Sequence, residues 1–409
     1  MLNPITNQRE LAYIVLIDEI RPIEGYDRVE YARVGGWWVI VKKDQFRVGD
    51  PAIYIEVDSR VPEKEPFMFL DKRNFKVKTL KMCKVISQGL LMAPEDFGWE
   101  VQNDNMGGYG IIANRFGTPF VVGDFLTEIL GITYADAEDN RRKAASADKY
   151  KLMAQRHKKL FSKRIFRWLM TKEWGKKLLF IFFGKKKDSK KSWPAWVVKT
   201  DEERCQNMPW LFPGNPNEEW IATEKIDGTS TTFTMKGFGR NRQFFICSRN
   251  VVFDKPDKKC YYDINVYTEM ANKYNIEDVL DKILHRYSSV CNFVTIQGET
   301  YGESVQKRDY NLTGRDFMAF NVILGYEDGH TERLNPIEMK ELMDEFHIPS
   351  IPIVDEHFII PETCAELLEI ATGTSAVDGG PREGLVFRSK DGTKSFKAVS
   401  NEFLLKYHS

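Results

Sequence analysis

Over residues 8–130 apolar and polar positions alternate in short runs broken by turn residues. "LAYIVLIDEI" reads as a strand, and "YARVGGWWVIVKK" as two strands joined near Gly35-Gly36. "GDPAIYIEVDS", "FKVKTLKM" and "VISQGLLM" complete about five strands. The pattern then changes. In "RRKAASADKYKLMAQRHKKLFSKRIFRWLM" the apolar positions Leu152, Leu160, Ile165 and Leu169 follow an imperfect helical spacing. From Trp193 onward strand-like runs ("EWIATEKIDGTSTTFTM", "RQFFICSRN", "NFVTIQGETYG", "RDFMAFNVIL", "EGLVFRSK", "TKSFKAVS") mix with three helix-like stretches. Those are "YDINVYTEMANKYNIEDVLDKILHRYSS", "NPIEMKELMDEFHI" and "PETCAELLEIATG". Strands and helices do not alternate strictly, which argues against a doubly wound parallel sheet and predicts an antiparallel α+β domain.

Five short strands suit a small OB-type β-barrel, a fold that often holds single strands or duplex backbones. The expected organisation is therefore a barrel over 1–134, a basic, partly helical insertion over 135–192 and an antiparallel α+β domain over 193–409. Trp37 and Trp38 could supply a stacking platform, but burial of one and partial cover of the other is the ordinary fate of such a pair.

Net charge over the 409 residues is zero, yet Arg141 to Lys191 holds 19 Lys and Arg against 3 Asp and Glu. A local excess of that size favours an anionic partner. A nucleic-acid-facing helix, a solvated linker ending in "GKKKDSKKSWP" and a membrane-surface helix flanking "LLFIFF" all fit it. The apolar run at 178–183 is too short to span a bilayer. Six cysteines without a C-x-x-C pair exclude the common zinc and thioredoxin-like motifs. With no signal-peptide pattern at the start, they point to reduced thiols inside the cell.

The chemistry lies in "ATEKIDGTS" at 222–230, where Lys225 and Asp227 share one face of a strand before Gly228. A lysine attacks only as the free amine, and a carboxylate alone favours the charged form. A Mg²⁺ held nearby would oppose that and would neutralise phosphate oxygens. Taken singly, the motif is also what an exposed Lys-Asp pair before a turn looks like. It is followed, however, by Arg249 in "SRN", Glu299 in "QGE", Phe317 and Phe320 in "DFMAFN", Glu383 in "EGLVFR", and Lys394 and Lys397 in "KSFK". These supply a nucleophile, a carboxylate for ribose hydroxyls, an aromatic platform, a metal-binding carboxylate and a cation for phosphate, with one or both lysines of "KSFK" near phosphates and Arg249 a further cation.

In that order the motifs resemble the covalent nucleotidyltransferase superfamily of ATP-dependent ligases and capping enzymes. "PAWVVKTDEERCQN" and the N-terminal "RPIEGYDRVEYARVGGWWVIVKKDQFRVGD" are similar to RNA ligase family 5, which carries an OB domain before its catalytic domain. The resemblance implies an ATP-grasp-like antiparallel ligase domain. It also implies attack of Lys225 on ATP to give a lysyl-AMP, adenylation of a 5′-phosphate, and joining to a 3′-hydroxyl. The roles it implies are backbone contact of Glu224 with adenine, nucleoside binding by Arg249 and Glu299, and base stacking by Phe320 or else Phe317. Asp227 and Glu383 would hold Mg²⁺ or Mn²⁺, and Lys397, helped by Lys394, would contact the α-phosphate. Arg204 is a further candidate for phosphate or the joined end. Ser395 stands where many relatives have a lysine, which unsettles Lys394. The expected partner is RNA or an RNA-containing duplex with 3′-OH and 5′-phosphate ends, with no obligatory protein partner, no membrane and a monomeric state. The expected compartment is the cytoplasm, or the nucleus in a eukaryote. A non-catalytic nucleic-acid-binding protein on a ligase-like core, and another ligase or capping-type enzyme, are the competing readings.

Overall fold

The computed structural model describes residues 1, 3, 9–103, 109–113, 119–135, 163–172, 175, 179, 193–197, 202–249, 251–253, 265–287 and 290–407. Most of the basic segment, including Leu152, Leu160 and the lysine run after Phe183, lies outside them. Within it Arg164–Met170 is helical.

The N-terminal strands are β1 (Ala12–Leu16), β2 (Glu19–Ile23), β3 (Tyr26–Val34), β4 (Trp37–Lys42), β5 (Pro51–Ile55) and β6 (Leu90–Met92). They form two antiparallel sheets, β1-β5-β6 and β2-β3-β4. The expected strand over 11–20 is broken because the chain changes sheets there. The Ile17 N–H donates to Asp50 and the Asp18 N–H to Arg33. The hairpin at Gly35-Gly36 pairs Val34 with Trp37. Side chains on β4 alternate in burial, as the pleat requires. Trp37 is buried and stacks on Tyr54, whereas Trp38 lies outside between the Tyr31 ring and the Arg21 guanidinium. Only Leu80–Met82 of "FKVKTLKM" is a strand; Phe75 and Val77 instead enter the core.

The C-terminal half holds two sheets. Its strands are β7 (Glu219–Lys225), β8 (Thr229–Lys236), β9 (Gln243–Ser248), β10 (Cys291–Gly302), β11 (Arg315–Tyr326), β12 (Ile353–Ile359), β13 (Gly384–Ser389) and β14 (Ser395–Val399). The large sheet runs β9-β8-β10-β11 with a short strand at each edge. The small sheet runs β14-β13-β7-β12, with Glu203–Arg204 added parallel to β14. Every other ladder among the described strands of these sheets is antiparallel, and Ala319 of β11 adds an isolated parallel bridge to Ser350.

Among the described residues, α1 (Val266–Lys273), α2 (Ile276–Arg286), α3 (Pro336–Glu345) and α4 (Cys364–Ala371) pack on these sheets, and α5 (Asn401–Tyr407) meets Val85–Ser87 of the N-terminal domain. In α2 the apolar residues Ile276, Val279, Leu280, Ile283 and Leu284 make one stripe, buried against the large sheet with Phe233, Ile296 and Phe317. The single helix predicted over 262–289 is split because Asn275 takes a left-handed conformation. Asn335 with Glu338, and Thr363 with Glu366, close capping boxes that start α3 and α4. A second core of Trp220, Phe387, Phe396 and Leu367 lies under the other face of the small sheet.

Among the described residues no helix is long and apolar enough to cross a membrane. Cys83, Cys205, Cys247, Cys291 and Cys364 are free thiols.

Candidate active site

The chain crosses from the small sheet to the large one through Ile226-Asp227-Gly228, and the site forms around this crossover. Lys225 ends β7 opposite Gly384 of β13, so Glu383 lies just beyond the same rung of the ladder. The Lys225 Nζ donates to Glu383 Oε2 at 2.8 Å, and the lysine side chain keeps 27% exposure. A Cβ on Gly228 would come within 2.3 Å of the Thr300 carbonyl, so a side chain there would push the crossover off β10. On β10, Glu299 pairs with Ser230 of β8.

A cavity of about 380 Å³ opens between the sheets. Lys225, Glu224, Asp227, Arg388 and Lys397 line it from the small-sheet side, and Arg249, Glu299 and Phe320 from the large-sheet side. The volume falls in the range of small-molecule sites.

Charge is concentrated here. Burial alone would lower the Lys225 pKa, but the Glu383, Glu299 and Asp227 carboxylates outweigh it and hold the lysine charged. Withdrawal from water pushes the Glu299 carboxyl up to about 8; Glu383, Asp227 and Glu202 add to the rise and Lys225 opposes it.

Other candidates are placed less uniformly. Phe320 is half-buried and faces the cavity. It occupies a bulge, since Gln297 pairs with Asn321 and Gly298 with Ala319, leaving Phe320 unpaired between them. A bulge re-aims the side chain it carries. The fallback, Phe317, is excluded as a stacking platform. It is fully buried edge-on to Phe233, and Gly298 lies so close that a Cβ there would strike its ring.

Lys394 is also corrected. It shares strand parity with Phe396, which points into the core on the far face, and its Nζ donates to Glu218 at 2.8 Å on the exterior. Lys397 has the opposite parity and reaches the cavity. The Glu224 carboxylate turns away, accepting from the Ser375 hydroxyl and the Ala376 N–H, while its own N–H donates to Pro352. Arg204 is outside the cavity lining. Its guanidinium lies 5.9 Å from the Trp37 ring of the N-terminal domain, where burial lowers its pKa and the nearby Cys205 and Glu383 oppose the fall.

A family model for an OB-fold domain matches residues 11–94, and one for RNA ligase matches residues 218–408. The domain over residues 218–408 belongs to the RNA ligases. Its fold is similar throughout to the solved RNA ligase of Naegleria gruberi. The structure of that ligase with pyrophosphate is 25% identical, covers 98% of this chain and 99% of its own, and has a TM-score of 0.61. A point variant with ATP and Mn is 25% identical over 98% of this chain and 100% of its own, with a TM-score of 0.62. Another with AMP and Mn is 26% identical over 98% and 99%, also at 0.62. A search of curated protein sequences returns no match.

The sequence assigns this RNA ligase no role for Arg388 or Glu202, yet both line the cavity. Arg388 is 2% exposed; its Nη2 donates to Glu202 Oε1 at 3.1 Å and its Nη1 to the Thr223 hydroxyl at 3.3 Å. Burial disfavours the Glu202 charge, but Arg388, Arg333 and Lys397 outweigh it and lower its pKa. Period-two reading of "GLVFRS" would have found Arg388, since it shares a face with the cavity residue Val386. Glu202 carries no such signal.

The raised Glu299 pKa sets a pH dependence in the nucleotide-free ligase. An unfolded glutamate titrates near pH 4.3, whereas folded Glu299 holds its proton to about 8. Between these values the folded form binds more protons, so stability contributed by this group is lost as pH rises through the window. Glu299→Gln removes the slope. Melting temperatures at pH 5 to 8 should show the variant gaining on the wild type as pH rises; a constant difference contradicts the assignment.

Proposed function

We propose that this RNA ligase seals 3′-OH to 5′-phosphate ends, at nicks in RNA-containing duplexes, by way of AMP carried covalently on Lys225. The observation that carries the reading is the placement of Lys225 Nζ 2.8 Å from Glu383, in a cavity where Arg249, Lys397, Phe320 and Glu299 converge. Lys225 Nζ attacks the α-phosphorus of ATP, loses a proton, and the bond to pyrophosphate breaks. A 5′-phosphate oxygen then displaces Lys225 and takes the AMP. The 3′-hydroxyl loses its proton and attacks the adenylated phosphate, and AMP leaves. Each step is a displacement at phosphorus, for which positioning and charge stabilisation supply most of the acceleration.

In this reading Phe320 stacks the adenine, the backbone at Glu224 meets its edge and Glu299 binds the ribose. Arg249 helps hold the nucleoside and Lys397 contacts the α-phosphate. Asp227 and Glu383 hold Mg²⁺ or Mn²⁺, for which carboxylate oxygens are suitable donors. Among the described residues no three His, Cys, Asp or Glu converge as a metal cage. That suits a cation that keeps waters and shares phosphate oxygens. Bound there, it would offset the carboxylates that hold Lys225 charged and favour the free amine. The Naegleria gruberi ligase solved with ATP and Mn, and with AMP and Mn, supports the choice of nucleotide and metal. The nick reading draws on the OB-fold domain, whose Trp37 packs on Arg204 beside the small sheet. We also infer a monomer that needs no protein partner and works inside the cell, in keeping with its free thiols.

The test uses ATP, Mg²⁺ and three substrates with 3′-OH and 5′-phosphate ends: a nicked RNA duplex, the same nick in DNA, and unannealed RNA strands. Sealing should be strongest at the RNA nick. Equal joining of unannealed strands would remove the nick from the reading, and no joined product from any substrate would remove the reading itself.

A further inference from the structure

The ladder between β7 and β13 ends at the rung joining Lys225 to Gly384. Asp227 and Glu383, the two carboxylates assigned to the metal, both lie beyond that rung. Their relative placement therefore depends on contacts outside the sheet, and these converge on one buried cation.

Arg308 lies in the loop between β10 and β11 and is 3% exposed. Its guanidinium sits 4.0 Å from the centre of the Tyr310 ring. The Tyr310 hydroxyl accepts the Asp227 backbone N–H at 2.7 Å. On its other side Arg308 donates to the Asp378 carboxylate and to the Pro381 carbonyl, two residues before Glu383. The rings of Phe403 and Tyr407 in α5 close over it at 5.7 and 5.9 Å. Arg308 thus reaches Asp227 through Tyr310, and Glu383 through Pro381.

Two features set this apart from ordinary packing. A buried guanidinium is costly unless it is paired, and an apolar residue would fill the same space more cheaply. Tyr310 also adopts a left-handed backbone angle, φ 55°, which bulky side chains avoid, and Asn311, a residue type that tolerates this region, follows at 54°. The loop accepts that strain while aiming the Tyr310 hydroxyl at the Asp227 N–H.

We propose that Arg308 and Tyr310 are positioning residues for the divalent cation: through Tyr310 and Pro381 they fix the spacing of Asp227 and Glu383 so that both carboxylates meet one ion. Neither residue touches the reacting atoms. The inference rests on the assignment of Asp227 and Glu383 to the metal.

Mn²⁺ is titrated into full-length protein holding saturating AMP, and uptake is followed by loss of the free-ion paramagnetic resonance signal. Melting temperature is recorded in parallel. Tyr310→Phe keeps the ring under Arg308 and removes only the acceptor of the Asp227 N–H. It should weaken Mn²⁺ binding about tenfold, the size seen when groups that orient metal ligands are lost, with little change in melting. Arg308→Lys should weaken binding less than Arg308→Met, because it keeps the charge beside Asp378. Wild-type Mn²⁺ affinity in both Tyr310→Phe and Arg308→Lys, whatever their melting temperatures, overturns the proposal and leaves the metal assignment standing. Absence of Mn²⁺ uptake by the wild type overturns the metal assignment, and this proposal with it.

Discussion

Lys225→Ala protein, incubated with α-labelled ATP and Mg²⁺ and then denatured, is expected to carry no label, while the wild type is labelled from ATP and not from GTP. A phosphoramidate is covalent, so it survives denaturation where bound nucleotide does not. Substitution should abolish the label rather than reduce it, because every other contact to the nucleotide can be present and the bond still has no nitrogen to form on. Lys397 lines the same cavity but belongs to β14, on the far side of β13 from β7, and the strand fixes it there. Folding should survive. Lys225 is the last residue of its strand and is part exposed, and its partner Glu383 can take up a proton when the ammonium is gone. Label retained in Lys225→Ala would move the nucleophile elsewhere. Equal label from GTP would move the enzyme toward the capping branch.

The order of motifs was legible in the sequence because each sits in or at the end of an apolar, strand-like run. The geometry inside each motif was legible only in part. Period two already separates Phe317 from Phe320, and Lys394 from Lys397, onto opposite faces. What it does not say is which face meets the cavity. That is decided by a bulge at Phe320 and by Phe396 entering the core, both products of long-range pairing. The helix break at Asn275 had no glycine or proline to announce it. The caps of α3 and α4, by contrast, could be read directly, since Asn-Pro-x-Glu and Thr-x-x-Glu act within four residues. Glu202 and Arg308 could not, because their partners lie far along the chain: Glu202 meets Arg388, and Arg308 meets Asp378. A buried ion pair has no local signature; only the fold brings its halves together.

That long-range character is sharpest at Glu383, where the second large effect is expected. Glu383→Gln should lower the rate of labelling from ATP by about 100-fold or more, equivalent to about 2.7 kcal/mol or more of transition-state stabilisation. The amide keeps the shape of the carboxylate and can still accept from Lys225 Nζ, so packing of this buried position against the start of β13 should be little disturbed. What changes is charge. One effect favours reaction: with one carboxylate fewer, the Lys225 pKa falls and more free amine is present at neutral pH. The other opposes it, since a neutral amide is a poor ligand for a hard divalent cation and leaves the α-phosphate charge less well offset. If the first effect dominated, the variant would label faster than the wild type at low pH. We expect the second to win, because gaining free amine speeds attack only in proportion, whereas losing the metal weakens stabilisation of every phosphate oxygen at once. The two effects separate in a pH series at rising Mg²⁺. A deficit that raised Mg²⁺ partly repairs identifies Glu383 as a metal ligand. A deficit that raised pH changes and Mg²⁺ does not would make it only the partner of Lys225, and wild-type rates throughout would remove it from the chemistry.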